Sequence, residues 1–164
     1  MDEDIAEKAD AYVARRDCHL AGRLGFGIHG IVHAIESNAY PGLAALKIHY
    51  AEEPFLREKQ AYERLKEAGI IEIRSFRVPQ IIDFDDELLA LQMTVVKPPW
   101  VLDFAGAWLD FPPEFPEEVW EDWIRKNEEQ FGADWPVAQM ILDDLRDLGI
   151  HMLDPSPSNI RFRY

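Results

Sequence analysis

The chain has 164 residues, with 17 Lys and Arg against 31 Asp and Glu and a formal charge of −14. That length fits one domain, or two small lobes on one core, and buries roughly 70% of the unfolded surface without a metal or disulfide staple. The acidity opposes binding to nucleic acid or to anionic lipid, so neither is an expected partner.

The single cysteine, Cys18, cannot close an internal disulfide, and no apolar stretch approaches the ~18 residues of a membrane span. The first residues, Met1-Asp2-Glu3-Asp4, lack the basic and apolar regions of a secretory signal. A reducing cytoplasm is the expected location.

In chain order, Ile5, Ala9, Tyr12 and Val13 recur at helical spacing, which predicts an amphipathic helix from Ile5 to Arg16 that packs on the edge of a sheet. From Cys18 to His49 short apolar runs are broken by glycine and by Tyr40-Pro41-Gly42, the pattern of three antiparallel strands. The first two enclose Gly25-Phe26-Gly27-Ile28-His29-Gly30-Ile31-Val32, a glycine-rich turn of the kind that lets backbone approach phosphate oxygens or adopt positive φ. A dinucleotide fingerprint needs a helix opening at the third glycine. Here Ile31 to Ile35 run instead into the turn residues Ser37 to Gly42, so a hairpin lid is expected.

Lys47 follows on the third strand. Pro54 opens a helix to about Ala68, with Phe55, Tyr62 and Leu65 on its apolar face and Gly69 to stop it. Glu58, Glu63 and Glu67 are its candidates to face Lys47, because a lysine buried near phosphates needs a carboxylate to hold its flexible stem. Val78 to Phe84 and Leu88 to Val96 read as two more strands, joined by Asp85-Asp86-Glu87, giving the order βββαββ.

Lys97-Pro98-Pro99 ends the sheet region, since consecutive prolines cannot donate to a ladder. Two helices follow, Glu117 to Gln130 and Val137 to Leu148, with tryptophans between Trp108 and Trp135 that complete the core. Directly after them stands Asp154-Pro155-Ser156-Pro157-Ser158-Asn159. Alone it is an ordinary turn. In a phosphoryl-transfer site, the acid orients or accepts the proton of an attacking hydroxyl and the amide oxygen binds a metal ion.

Taken in order, these three motifs resemble the protein-kinase-like superfamily. Gly25 to Val32 is similar to the kinase glycine-rich loop, Ala44-Ala45-Leu46-Lys47 to the third-strand lysine motif, and Phe55-Leu56-Arg57-Glu58 to the start of the C-helix. Asp154 to Asn159 is similar to the D-x-x-x-x-N catalytic loop.

The resemblance implies an α+β fold: an N-lobe over residues 1–96 with a five-stranded antiparallel sheet and one C-helix, and a short helical C-lobe over residues 97–164, as one compact unit. It implies ATP held by Gly25, Phe26, Gly27, Gly30, Val32, Lys47 and Glu58, with Met93 and Val95 in a hinge from Gln92 to Val96. Catalysis falls to Asp154 and Lys47, and Mg²⁺ to Asn159.

The sequence also departs from the family. Met152-Leu153 stands in place of His-Arg, and Ser156 in place of a phosphate-contacting lysine. The sequence reaches Tyr164 without an Asp-Phe-Gly segment after Asn159, so the metal-binding aspartate and activation segment are expected to be missing from a truncated C-lobe. A nucleotide binder with weak or no transferase activity is expected, a pseudokinase or minimal kinase. One alternative is an active phosphotransferase in which Asp143, Asp144 or a second subunit's carboxylate replaces the lost ligand. Another is a partner-binding domain without nucleotide. Arg161 and Arg163 are expected to face solvent, with Ile160 and Phe162 inward, on a last strand whose open edge invites homodimerisation.

Overall fold

A computed structural model describes residues 2–163. In chain order the elements are α1 (Asp2–Arg15), β1 (Cys18–Phe26), β2 (Gly30–Ser37), β3 (Tyr40–His49), α2 (Glu52–Glu67), β4 (Glu72–Ile73), β5 (Phe76–Arg77), β6 (Ile81–Asp85) and β7 (Ala90–Thr94). They continue with β8 (Trp100–Val101), β9 (Trp108–Leu109), α3 (Glu117–Phe131), a 3₁₀ turn at Gly132–Asp134, α4 (Trp135–Asp147), β10 (Ile150–His151) and β11 (Ile160–Arg161). The fold is α+β. Among the described residues no helix is long and apolar enough to cross a membrane.

The main sheet is antiparallel and five-stranded, in the order β1-β2-β3-β7-β6. β3 is its centre, and from Ala44 to His49 it is buried on both faces. Strand alternation sends Ala44, Leu46 and Ile48 to one side, where they pack with Ile5, Ala9 and Tyr12 of α1. Ala45 points to the other side, into the core shared with α2 and α4. The N-terminal helix therefore covers a face of the sheet rather than its edge, because three small or branched β3 side chains there leave an apolar surface as wide as a helix. Its tie is specific: the buried Tyr12 hydroxyl donates to Gln92 Oε1 at 2.8 Å. Arg16 clamps the helix end to Asp83 (2.6 Å) and Asp85 (3.1 Å).

The region after Lys97 is less purely helical than its sequence pattern predicts. A second sheet, ordered β11-β8-β5-β4, joins strands from before and after the Pro98-Pro99 step. β9 and β10 form a further two-stranded ladder. Each of these strands has only two residues, too short for an alternating pattern to register in the sequence. On β11, Ile160 is buried and Arg161 is exposed, and just after the strand Phe162 packs edge-on against Phe76 with ring centroids 4.9 Å apart.

α2 ties the upper sheet to this lower region. Arg64 donates to Asp110 at 2.8 Å and to the Gly149 carbonyl at 3.2 Å. A Cβ on Gly149 would lie 2.6 Å from the same guanidinium, and its φ of +75° is one that side chains resist. Replacing Tyr12 by Phe strands the buried Gln92 acceptor, so urea denaturation should show a loss of about 1–2 kcal/mol.

Candidate functional site

The β1–β2 hairpin, β3, β7 and the segments around Asp103 and Asn159 enclose a cleft of about 540 Å³. The hairpin closes with Gly27 N–H donating to the Gly30 carbonyl at 3.0 Å. None of Gly25, Gly27 and Gly30 has positive φ. The nearby positive-φ glycine is Gly22, within β1. Gly30 is required for a different reason: a Cβ there would collide with the Ile48 carbonyl oxygen and lie 3.1 Å from His49 Cα. Gly25 and Gly27 face open space, with no atom within 4 Å of where a Cβ would be. Phe26 is 76% exposed at the hairpin tip, with the Arg23 guanidinium 4.5 Å from its ring centre.

β3 delivers Lys47 to the floor of the cleft, opposite Val32 of β2 and Leu91 of β7. Burial leaves Lys47 only 6% and Glu58 1% exposed. Lys47 Nζ meets Glu58 Oε2 at 2.7 Å and Asp103 Oδ1 at 2.9 Å. Of the three glutamates that helical spacing allows, Glu58 is the one that faces the sheet; Glu63 and Glu67 do not share this contact. Burial alone would raise the Glu58 carboxyl, but the Lys47 charge and the hydrogen bonds from His49 and Lys47 outweigh it and hold it down to about 2. Burial would likewise lower Lys47, and the two carboxylates reverse that to a net rise.

Asp103 is the residue that reading the sequence missed. It follows β8 with φ of +68°, a left-handed conformation that aspartate tolerates better than most side chains. Its carboxylate is 41% exposed, so it is the half of the Lys47 pair that opens onto the cleft. Two contacts hold it there. Its N–H donates to the Tyr62 hydroxyl at 3.3 Å, and the preceding Leu102 N–H donates to the Asn159 carbonyl at 2.9 Å. Phe104 is buried edge-on against Tyr62. The only local signal was an acidic residue placed directly after the apolar run Trp100-Val101-Leu102.

The expected replacements lie elsewhere. Asp144 pairs with Arg74 at 2.8 Å and Asp143 with Arg146 at 3.3 Å. Asp143 lines a separate groove of about 370 Å³ beside α3 and α4. Helix i, i+3 spacing and a neighbouring arginine account for both, so neither is the carboxylate beside Lys47.

The remaining candidates divide between the cleft and its lower lip. Met93, Val95, Ser158 and Asn159 line the cleft, and Met93 lies opposite Ala45. Asn159 Oδ1 accepts from the Ser156 N–H at 2.6 Å, and its Nδ2 donates to the Asp154 carbonyl at 3.2 Å. These bonds shape the loop as a turn. Asp154 does not line the cleft. Its exposed carboxylate sits against the backbone of Gly106, where a Cβ would come within 2.8 Å of Oδ2. The loop on either side is fixed by α3: Trp123 Nε1 donates to the Leu153 carbonyl at 2.6 Å and Gln130 Nε2 to the Pro155 carbonyl at 2.8 Å. The Asp103–Gly106 turn thus touches Lys47 at one end and Asp154 at the other.

Among the described residues no group of three or more His, Cys, Asp or Glu converges as a metal site. Of the oxygens at the cleft, Asp103 Oδ1 is taken by Lys47 at 2.9 Å and Asn159 Oδ1 by the Ser156 N–H at 2.6 Å.

No protein-family model matches the chain, and comparison with curated protein sequences finds no match. Two crystal structures of the Mycobacterium tuberculosis PknI kinase domain are similar to it at 16% and 15% identity, over 72% of this chain and 47% and 46% of theirs, with TM-scores of 0.34 and 0.32. The chain spans just under half the length of those kinase domains.

Because Glu58 is held below its ordinary value near 4.5, its contribution to stability is complete above about pH 4.5 and is lost as pH falls toward 2. Denaturation midpoints measured between neutral pH and about pH 3 should fall with acidification, and Glu58→Gln should remove that part of the slope. At neutral pH the same substitution should cost about 3 kcal/mol, since it leaves Lys47 short of a buried counter-charge.

Proposed function

We propose that the cleft binds ATP with Mg²⁺ in a protein-kinase-like manner. The observation that carries this reading is Lys47, buried and aimed from β3 into the cleft, with one carboxylate behind it on α2 and a second, Asp103, at the opening. A lone buried lysine has other uses. One held between two carboxylates beneath a hairpin, with open space at Gly25 and Gly27, suits a triphosphate that replaces part of its coordination. The site must also concentrate positive charge within an acidic protein: Lys47 and Arg161 line the cleft against Glu58 and Asp103, so on this reading the metal ion bound with ATP supplies the balance. On this reading Met93 and Val95 lie along the base.

Asp103 favours a second reading, an active phosphotransferase rather than a pseudokinase. In the kinase resemblance the metal-binding aspartate follows the asparagine of the catalytic loop, on the next strand. Here Asp103-Phe104 precedes Asn159 by some fifty residues, yet β8 and β11 are antiparallel neighbours with Val101 opposite Ile160. Asp103 and Asn159 therefore belong to neighbouring segments, joined by the Leu102 N–H to the Asn159 carbonyl. When bound, Mg²⁺ supplies charge neutralisation of the phosphates; Asp103 and Asn159 are the residues that would hold it. Lys47 then orients the phosphates, and Asp154, outside the cleft at its lower lip, would accept a proton only from a hydroxyl that a bound acceptor brings to that lip.

Thermal or chemical unfolding with Mg·ATP at a hundredfold excess over Kd should show stabilisation of about 2.7 kcal/mol, abolished by Lys47→Met. No shift for the wild-type protein would remove the nucleotide reading. Transfer of labelled γ-phosphate, lost in both Asp103→Asn and Asp154→Asn, is expected for the active enzyme. Binding without transfer would leave the pseudokinase.

A further inference from the structure

Behind Lys47, two residues further along β3 and on the same face, His49 is fully buried at 0% exposure. Its Nε2 lies 2.6 Å from Glu58 Oε2, the same oxygen that Lys47 Nζ meets at 2.7 Å. Nδ1 faces the Leu89 carbonyl oxygen at 3.1 Å, and the ring stands edge-on to Phe55 of α2 with centroids 5.4 Å apart. Imidazole orientation is thus set from three sides, by a strand connection, by a helix aromatic and by the carboxylate itself. His49 does not line the cleft.

A carboxylate that served only to pair with Lys47 would need no second basic partner, and an apolar residue could fill the volume behind it without desolvating another polar ring. The shared oxygen gives the arrangement a consequence for ligand binding. If Lys47 were the sole donor to Glu58, any movement of its ammonium toward a ligand would leave a carboxylate buried and unpaired, and α2 would lose its polar tie to β3. With His49 in place, Glu58 keeps a short hydrogen bond whichever way Lys47 turns.

We propose that His49 is the positioning residue of this site: it holds Glu58, and with it α2, against β3 independently of Lys47, which leaves the lysine free to be shared with a phosphate. The ligand half of this inference rests on the nucleotide reading. The helix-holding half does not.

Both halves are tested with His49→Phe, which keeps an aromatic against Phe55 but removes the donor, and His49→Gln, which keeps an N–H near the Nε2 position. Without nucleotide, amide hydrogen exchange over residues 55–65, referenced to α4, should change less than about twofold in Lys47→Met but rise roughly tenfold in Lys47→Met/His49→Phe, with Lys47→Met/His49→Gln close to the single variant. If Lys47→Met alone loosens α2 as much as the double variant, or if Gln protects no better than Phe, the proposal is overturned. Should His49→Phe fail to fold, the comparison of Lys47→Met with Lys47→Met/His49→Gln and Lys47→Met/His49→Leu decides in the same way. In titration calorimetry with Mg·ATP, His49→Phe should weaken Kd roughly tenfold and His49→Gln by less than about threefold. Equal Kd values for wild type and His49→Phe would overturn the ligand half. A wild-type protein that binds no nucleotide would overturn the nucleotide reading and that half together, with the exchange result still deciding whether His49 holds α2.

Discussion

Two charges buried against each other, Lys47 on β3 and Glu58 on α2, set the condition that the rest of the molecule satisfies. Removing an ammonium and a carboxylate from water costs several kcal/mol each, and their attraction offsets this only when the geometry is close and the remaining polar atoms are bonded. At 2.7 Å the first requirement is met, and His49 and Asp103 supply further partners. That contact fixes the rotation of α2 about its axis, because turning the helix by one residue would carry Glu58 about 100° away from the sheet. The same rotation aims Phe55, Tyr62 and Leu65 into the core and leaves Arg64 to reach Asp110 and Gly149.

The lower region is organised around the segments that α2 brings close. Tyr62 accepts from the Asp103 backbone, Phe104 packs on its ring, and the Asp103–Gly106 turn carries Asp154 against Gly106. Helix α3 contributes little buried surface of its own among its residues, with Asn127 and Phe131 buried. Its role is to supply Trp123 and Gln130, which bind the carbonyls on either side of Asp154. The aromatic series Trp120, Trp123, Trp135 and Phe131 links that helix to α4 through successive ring contacts about 6 Å apart. Tryptophan suits this position because it packs broadly while its N–H still finds a carbonyl.

Long elements were legible in the sequence because their periodicity is repeated. α2 and α4 show several turns of apolar spacing, and the first three strands, of eight to ten residues each, show as short apolar runs broken by glycine and by Tyr40-Pro41-Gly42. The two-residue strands were not legible, since one alternation is indistinguishable from chance. Glu58 could be narrowed to one of three positions by helix geometry, but only docking of the helix selects among them. Asp103 was invisible for another reason: its importance comes from β8 lying beside β11, a pairing between residues about sixty apart in the chain.

By itself the sequence determined the five-strand sheet with its crossing helix, the glycine hairpin, and the presence of a lysine on the central strand, because each is written in local spacing and turn chemistry. Tertiary structure decided which charges meet. Lys47 joins Glu58, Asp103 and, through Glu58, His49, whereas Asp143 and Asp144 turn to arginines on the surface. Coulomb attraction acts over a few ångströms of space and takes no account of distance along the chain, so no local pattern could have drawn that distinction.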